Sequence, residues 1–260
     1  MPYVDEHERH GNDEARLEQS RFRIGFARDD SEVLEAQRLR WRVYRESLHA
    51  DLPAGGVDAD EFDRFCDHLL VRDSDTDAVV GTYRILTPEG ARRAGGYYSA
   101  TEFDIGRIVS QGARIAEVGR ACVHPAYRTG GVITLLLAGL TAHLVERGCE
   151  YVIGCASVSV ADGAARAASI CRRLTRDHRS PVEWHAFPRA RFPFESIAAE
   201  AEDDVPLPPL IKAYVRLGAT VCSEPAWDQQ FKTADLLLIL SIAHMAPRYR
   251  SRLLRQALPA

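Results

Sequence analysis

The segment that decides the fold is EVGRACVHPAYRTGGV, which spans Glu117 to Val132. It lies in an apolar run that starts at Ile115, yet it places a carboxylate and a guanidinium, Glu117 and Arg120, three residues apart. It ends in the turn Arg128-Thr129-Gly130-Gly131, and a long apolar stretch follows at once. This order predicts a core strand, a glycine-rich turn and a buried helix.

The glycine-rich turn is a candidate anion site. Backbone N–H groups exposed in such a turn act together with the partial positive charge of a helix N-terminus. Arg128 adds charge, and Gly130 and Gly131 allow a ligand to approach the backbone. The full patterns of a nucleoside-triphosphate loop and of a dinucleotide fingerprint are both absent, so the turn alone does not identify the anion.

Glu117 is a candidate general base. A carboxylate among apolar neighbours has a raised pKa, and a raised pKa prepares it to accept a proton near neutral pH. The alternative is that Glu117 pairs with Arg120 or faces solvent. Because residues three apart on a regular strand face opposite sides, such a pair needs a distortion, and Gly119 predicts a β-bulge that would supply it.

Composition limits the class of protein. The chain has 260 residues, of which 46% are hydrophobic and 27% charged, and it can bury a substantial core. No apolar run is long enough to span a bilayer, so we expect a cytoplasmic protein. Its six cysteines form no C-x-x-C pair, which predicts free thiols and no metal site. We expect no nucleic-acid partner.

The pattern along the chain predicts a flexible tail at 1–20 and a single domain at 21–260 with extra C-terminal helices. Strands come first in a hairpin and are later joined by helices, which is typical of a mixed α/β fold. The predicted elements are a strand at 22–27, a helix at 32–45 capped by Ser31, two strands within 68–88, a strand at 114–123, a helix at 132–148, a strand at 151–157, helices at 161–176 and 208–218, a strand at 234–242 and a basic tail helix at 245–255.

The strand, the R-x-x-G turn and the apolar helix together resemble the cofactor-binding core of the GNAT acyltransferases. More narrowly, the chain resembles the ornithine-lipid N-acyltransferases, also called haemolysin-like, and their relatives the acyl-homoserine lactone synthases and N-acyl amino acid synthases. The resemblance covers about Phe22 to Arg250 and implies a mixed central sheet flanked by helices. The further pieces that match in order are Leu39-Arg40 with Tyr44, the acidic pair Asp60 and Asp63, the strand Gly81-Thr-Tyr-Arg84, Glu117-x-x-Arg120, the segment PPLIKAYVRLGA, and F-x-T-x-D from Phe231 to Asp235.

The resemblance implies that an amine attacks an acyl thioester directly, with no covalent enzyme intermediate and no permanently bound cofactor. It assigns Glu117 as the base and Arg120 as its catalytic companion, with a backbone N–H near Val118 steadying the oxyanion. The residues expected to hold the acyl-phosphopantetheine arm are Val118, Cys122, Val123, Arg128, Thr129, Gly130, Gly131 and Val132.

An amino-acid acceptor needs partners for its charged groups. Its carboxylate suits a guanidinium, and the candidates are Arg40, Arg84 and Arg120. A second amine needs an acid, and the candidates are Asp60, Asp63 and Asp67, while Tyr44 is expected to line the same site. The alternative for Arg40 and Arg84 is a structural ion pair with these aspartates.

The resemblance implies transfer of a (3-hydroxy)acyl chain from acyl carrier protein to the α-amine of ornithine, giving lyso-ornithine lipid. Other acceptors such as glycine or lysine stay open, as does an acetyl-CoA-dependent reaction on a small amine. Ile133 stands where the general family pattern R-x-x-G-x-[GA] has Gly or Ala. This departure is compatible with a carrier-protein thioester and makes acyl-CoA the less favoured donor.

Two basic segments are candidate docking surfaces. Acyl carrier proteins are acidic, and a positive local potential would attract them. The tail arginines Arg248, Arg250, Arg252 and Arg255 are candidates for peripheral contact with anionic lipid on the inner membrane face. The candidate carrier-docking residues are Arg166, Arg172, Arg173, Arg176, His178, Arg179, Arg189 and Arg191. The alternative, a solvated arginine-rich helix face, is the commoner explanation for such a run.

Overall fold

The computed structural model describes residues 21–47, 50–128, 131–161, 163–198 and 205–247, together with Ser251 and Leu253. The predicted tail at 1–20, the turn residues Thr129 and Gly130, and the four tail arginines lie outside the described residues.

The described strands and helices follow the predicted order. The strands are β1 (Phe22–Phe26), β2 (Asp67–Asp73), β3 (Val79–Leu86), β4 (Phe103–Asp104), β5 (Ile115–Val123), β6 (Tyr151–Ser159), β7 (Phe187–Pro188), β8 (Thr220–Val221), β9 (Ala226–Asp228) and β10 (Thr233–Ser241). The α-helices are α1 (Asp30–Ser47), α2 (Pro88–Ala94), α3 (Gly106–Ser110), α4 (Gly131–Glu146), α5 (Ala164–Asp177) and α6 (Pro209–Leu217).

The ends of the helices can be compared with the capping residues in the sequence. Asp29, and not Ser31, caps α1, because the Asp29 side chain accepts hydrogen bonds from the backbone N–H groups of Ser31 (3.0 Å) and Glu32 (3.1 Å). Helix α6 stops at Gly218, which has φ +105°. Helices α2 and α3 lie between the predicted strands at 68–88 and 114–123, where the sequence analysis predicts no element, although Thr87 and Pro88 form an ordinary helix start.

The main sheet is mixed. Its strand order is β1-β2-β3-β5-β6-β10-β8, with β9 paired to β10. Each neighbouring pair is antiparallel except β5 and β6, which are parallel. The parallel pairing covers only Ile115–Glu117 opposite Tyr151–Ile153. Beyond Glu117 the two strands part, and the facing edges of their second halves do not pair with each other.

The predicted bulge is present in β5. Thr82 pairs with Cys122 and Arg84 with Gly119, so two residues of β5 oppose Tyr83. Arg120, and not Gly119, takes the left-handed conformation, with φ +54°. This conformation is uncommon for a side chain as large as arginine, and it turns Arg120 out of the regular alternation of the strand.

Both faces of the sheet are covered. Alternate residues of β5 belong to different clusters, since Ala116 packs with α4 and α5, while Ile115 packs with Phe103 and Ile108. A third cluster joins α1 to the end of β5 through Leu39, Val43, Tyr44 and Cys122. The parting of β5 and β6 therefore opens a gap between two separately packed layers.

We predict that Gly154→Ala destabilises the fold at this gap. A Cβ on Gly154 would lie 2.5 Å from the backbone oxygen of Val118, so the strands would have to move apart where they still touch. We expect a loss of about 1–3 kcal/mol in the free energy of unfolding, measured by denaturant titration. Gly25→Ala is the control, because a Cβ there meets no atom within 4 Å; equal behaviour of the two variants would contradict the prediction.

Candidate active site

A cavity of about 270 Å³ passes through the gap between β5 and β6. Its polar end carries Glu117 and Cys155, which share a sheet face with the cluster around Ile115. Its apolar end lies on the opposite face, where the walls belong to α4, α6, β6 and β10. The apolar lining residues are Leu137, Leu140, Leu144, Val152, Ala156, Ile211, Leu217, Leu238, Leu240 and Met245.

Glu117 stands at the point where the strands part. Its side chain is 5% exposed, and its two oxygens accept hydrogen bonds from the backbone N–H groups of Tyr98 (2.6 Å) and Ser99 (2.7 Å). Burial raises the pKa of Glu117, while hydrogen bonds from Ser99 and Tyr98 lower it, and the net direction is upward. Glu117 thus anchors the 3-10 helix Tyr98–Thr101 and still faces the cavity with a carboxylate suited to accept a proton.

Arg120 reaches the same cavity from the bulge. Its guanidinium lies 3.2 Å from an oxygen of Asp60 and 3.3 Å from one of Asp58. The rings of Tyr98 and Phe231 lie on it at 4.9 and 5.1 Å from their centroids. Glu117 does not face solvent, because it is buried and bound by backbone N–H groups. It does not pair with Arg120 either, because Arg120 pairs with aspartates.

Arg40 and Arg84 belong to a buried ion network. Arg40 is fully buried and binds Asp58 at 2.7 Å and Asp63 at 2.8 Å. Arg84 binds Asp60 at 2.6 Å. With Arg120 the network holds three arginines and three aspartates. The structural ion pair considered for Arg40 and Arg84 is therefore present, and Asp58, which the sequence analysis passed over, is one of its members.

Arg40 does not line the cavity, and the other predicted acceptor-binding residues separate into three groups. Tyr44 and Arg84 line the cavity beside Arg120. Asp60 and Asp63 lie behind the arginines as their counterions. Asp67 does not line the cavity, because it binds His143 of α4 at 2.9 Å and faces Arg147 at 3.7 Å. The structure corrects the expectation for Asp67, which holds α4 against β2.

The predicted donor-binding residues are spread along β5 and its turn. Val118 lines the cavity. The side chains of Cys122 and Val132 are core residues, so only their backbone groups are open to a donor. Arg128 is exposed beside the start of α4 and donates to the Val123 carbonyl at 3.2 Å. Gly131 is the first residue of α4, in agreement with a turn at a helix N-terminus.

Several polar lining residues were missed or left without a role. They are Tyr98, Glu102, Cys155, Asp228 and Asp235. The ligand atoms of Glu102, Cys155 and Asp235 all lie within 4.8 Å of one another. Asp235 closes the F-x-T-x-D motif, which was a usable signal. Tyr98 and Glu102 lie in a stretch for which the sequence analysis predicts no element, and no pattern in the sequence there points to the cavity.

The arginines near α5 are partly occupied by structural contacts. Arg172 donates to the carbonyls of Phe194 and Ile197, which removes it from the predicted docking set. Arg189 donates to the Ala100 carbonyl at 2.8 Å, and Arg191 binds Glu195 and Glu224. The basic character of this surface is therefore weaker than the sequence indicates.

Comparison with known proteins identifies the family of this chain. Residues 39–138 match the model of the acetyltransferase (GNAT) domain family. The L-ornithine N(alpha)-acyltransferase of Agrobacterium fabrum is 38% identical over 243 residues, which cover 87% of this chain and 83% of that protein. The chain belongs to the L-ornithine N(alpha)-acyltransferase family. It is an acyltransferase, as the E-x-x-R strand and the R-x-x-G turn predicted.

Solved structures confirm the fold of this acyltransferase. FeeM, an N-acyl amino acid synthase from uncultured soil microbes, superposes with a TM-score of 0.54 at 15% identity, covering 92% of this chain and 97% of that one. BjaI, a CoA-dependent acyl-homoserine lactone synthase, gives 0.53 at 15% identity, covering 92% and 90%. Among the described helices, none combines the length and the apolar character needed to cross a membrane.

We predict that Arg40→Leu destabilises the acyltransferase strongly. The change leaves Asp58 and Asp63 buried without their principal cation, which costs about 3–5 kcal/mol in the free energy of unfolding. The control is Arg23→Leu, because Arg23 pairs with Asp77 at an exposed site and such a pair contributes about 1 kcal/mol or less. Chemical denaturation of both variants checks the prediction, and losses of similar size would contradict it.

We predict that Glu102→Gln stabilises the protein at alkaline pH. Burial and the charges of Asp235 and Asp228 raise the pKa of Glu102 from 4.5 to about 8. Its protonated form is favoured in the folded state, so stability is full below pH 4.5 and falls as the pH rises toward 8, by about 1.4 kcal/mol per unit.

Glutamine carries no such charge. The melting temperature of Glu102→Gln should exceed that of the wild type at pH 8, and the difference should vanish near pH 4.5. Thermal melts across this range measure it. A difference that does not change with pH would show that Glu102 is not held at a raised pKa.

Proposed function

We propose that this acyltransferase moves a long (3-hydroxy)acyl chain from the phosphopantetheine arm of acyl carrier protein to the α-amine of ornithine. The observation that carries the proposal is the cavity at the gap between β5 and β6, whose lining includes Glu117 on one face of the sheet and aliphatic side chains on the other. The acceptor follows from family membership, since the relatives are named for ornithine.

The gap suits a pantetheine arm. Past Glu117 and Ile153 the facing edges of β5 and β6 no longer pair with each other. Backbone groups along these edges can bind the two amides of the arm. Arg128 and the N-terminus of α4 then supply positive charge for the phosphate at the mouth.

The apolar end suits a long acyl chain. Its walls are aliphatic side chains from α4, α6, β6 and β10. Burying such a chain stabilises the complex by roughly 25 cal/mol per Å² of apolar surface. An acetyl group would leave most of this tunnel unfilled, which is why we favour a long-chain donor over acetyl-CoA.

Proton transfer precedes bond formation. Glu117 takes a proton from the α-ammonium, directly or through water, and the neutral amine attacks the thioester carbonyl. The C–N bond forms and the C–S bond breaks, and the leaving sulfur takes the proton that the attacking nitrogen loses, so the thiol leaves with the carrier. A backbone N–H near Val118 stabilises the oxyanion, and Arg120 orients the acceptor carboxylate.

The assignment of acyl carrier protein as the partner rests on charge. Basic side chains that α5 and the following segment present, among them Arg166, Arg173 and Arg179, would attract an acidic carrier domain. Acyl-CoA is the alternative source of the same arm. The two donors differ in what is attached to the phosphate of the arm, a protein in one and an adenine nucleotide in the other, and not in the reacting thioester.

We predict that the purified protein forms N-acylornithine from ornithine and 3-hydroxyacyl carrier protein, and forms none from acetyl-CoA. Product mass spectrometry measures this outcome. A product with acetyl-CoA alone would contradict the long-chain donor.

We predict that Glu117→Gln lowers kcat about 10²–10⁴-fold, the usual contribution of a positioned base.

The control for Glu117→Gln is Glu35→Gln, because Glu35 pairs with Arg72 outside the cavity. The glutamine amide would face one backbone donor of Tyr98 or Ser99, so the fold of Glu117→Gln needs a melting curve beside the assay. In the wild type kcat/KM should fall at acidic pH as Glu117 is protonated. A folded variant with kcat within threefold of the wild type would exclude Glu117 as the base.

A further inference from the structure

The polar end of the cavity holds a second group of carboxylates, Glu102, Asp228 and Asp235. The mechanism above uses none of them. Within the part of the chain that the structure describes, none of the three forms an ion pair. The aspartates of the neighbouring network differ, since each of them has an arginine partner.

Glu102 is incompletely satisfied. Both of its carboxylate oxygens are shielded from solvent and neither accepts a hydrogen bond of normal geometry, although the side chain of Tyr98 lies near enough to lower the pKa of Glu102. A buried acceptor without a partner costs free energy, and in a native protein it calls for a specific reason. Because this carboxylate lines the cavity, a ligand that donates hydrogen bonds would remove the cost.

Asp235 is held in position before any ligand arrives. It is 4% exposed, and hydroxyl groups of Thr233 (2.6 Å) and Ser157 (3.1 Å) donate to its two oxygens. Ser157 lies directly opposite Asp235 in the pairing of β6 and β10. Hydroxyl groups orient the carboxylate and leave its charge unpaired, so the site keeps its attraction for a cation.

The charge balance identifies the missing partner. Arg120 is the neighbouring cation, and its guanidinium already faces Asp58 and Asp60. What the cluster lacks is a compact cation with several N–H donors, and a primary ammonium has three. The acceptor in the proposed reaction brings one such group besides its α-amine.

We propose that Glu102, Asp228 and Asp235 form the subsite for the side-chain ammonium of the acceptor amino acid. This inference rests on the proposed function. In this arrangement Glu117 meets the α-amine, Arg120 meets the carboxylate, and the acidic cluster meets the distal amine. It replaces the expectation that Asp60, Asp63 or Asp67 would serve the second amine.

The subsite gives the F-x-T-x-D motif a physical meaning. Phe231 lies on the Arg120 guanidinium, Thr233 orients Asp235, and Asp235 faces the cavity. The three residues thus support two neighbouring charges of opposite sign. That is the pattern needed for a ligand with a carboxylate at one point and an ammonium at another.

The test compares ornithine with norvaline, which has the same carbon chain and no side-chain amine. In Asp235→Asn and Glu102→Gln, kcat/KM for ornithine should fall roughly 30-fold or more, the usual effect of removing one partner of a buried charge pair. With norvaline, kcat/KM should stay within threefold of the wild type. Asp67→Asn, a change outside the cavity, is the control and should leave kcat/KM unchanged for both substrates.

Equal losses for ornithine and norvaline would overturn the subsite, because they would show a structural role only. Calorimetric titration of the donor-free protein separates the subsite from the reaction. If the wild type acylates neither amino acid, the proposed function fails. Tight binding of ornithine that Asp235→Asn abolishes, with weak binding of norvaline throughout, would still support the subsite.

A divalent metal is the competing occupant, since Cys155 stands beside the two closest carboxylates. Elemental analysis of the purified wild type and of Asp235→Asn, with and without chelator, distinguishes it. A stoichiometric metal lost in Asp235→Asn, together with unchanged preference between ornithine and norvaline, would overturn the ammonium subsite.

Discussion

The early end of the pairing between β5 and β6 is the constraint on which the rest of the structure depends. If these two parallel strands were paired along their whole length, their backbone groups would be hydrogen-bonded to each other and no cavity would pass between them. Here the pairing stops at Glu117 and Ile153, and Gly154 allows the last close approach. The gap joins the polar face of the sheet to the apolar one, so an amine on one face can reach the thioester carbonyl of an acyl chain held on the other.

Charge is arranged around this gap in two ways. The arginine–aspartate network is balanced and buried, and it holds α1, the loop after it, β3 and β5 together. The cluster of Glu102, Asp228 and Asp235 is unbalanced, and burial raises the pKa of Glu102 and of Asp235. A folded protein pays to keep such carboxylates unpaired, which is the usual relation between a binding site and stability.

The core elements were predictable because the pattern of apolar residues along each of them is clear. The hairpin β2–β3, the strand β5 and the helix α4 show alternation or a continuous apolar run, and the family resemblance placed Glu117, Arg120 and Arg84 in one site. The short helices α2 and α3 were missed because each is only five to seven residues long and has glycines inside it or just after it. Ser31 was taken for the cap of α1 because three successive residues, Asp29, Asp30 and Ser31, are all candidate caps, and only the backbone path selects Asp29.

The fold family, the strand that carries Glu117 and Arg120, and the class of reaction follow from the order of amino acids alone, since these depend on residue types at short spacing. Which charges meet depends on the three-dimensional fold. Asp58, Asp60 and Asp63 pair with arginines from three distant elements, Asp67 turns to His143, and Glu102 reaches Asp235 across more than half the chain. Electrostatic energy depends on distance in space and on burial, and neither is written in the order of residues.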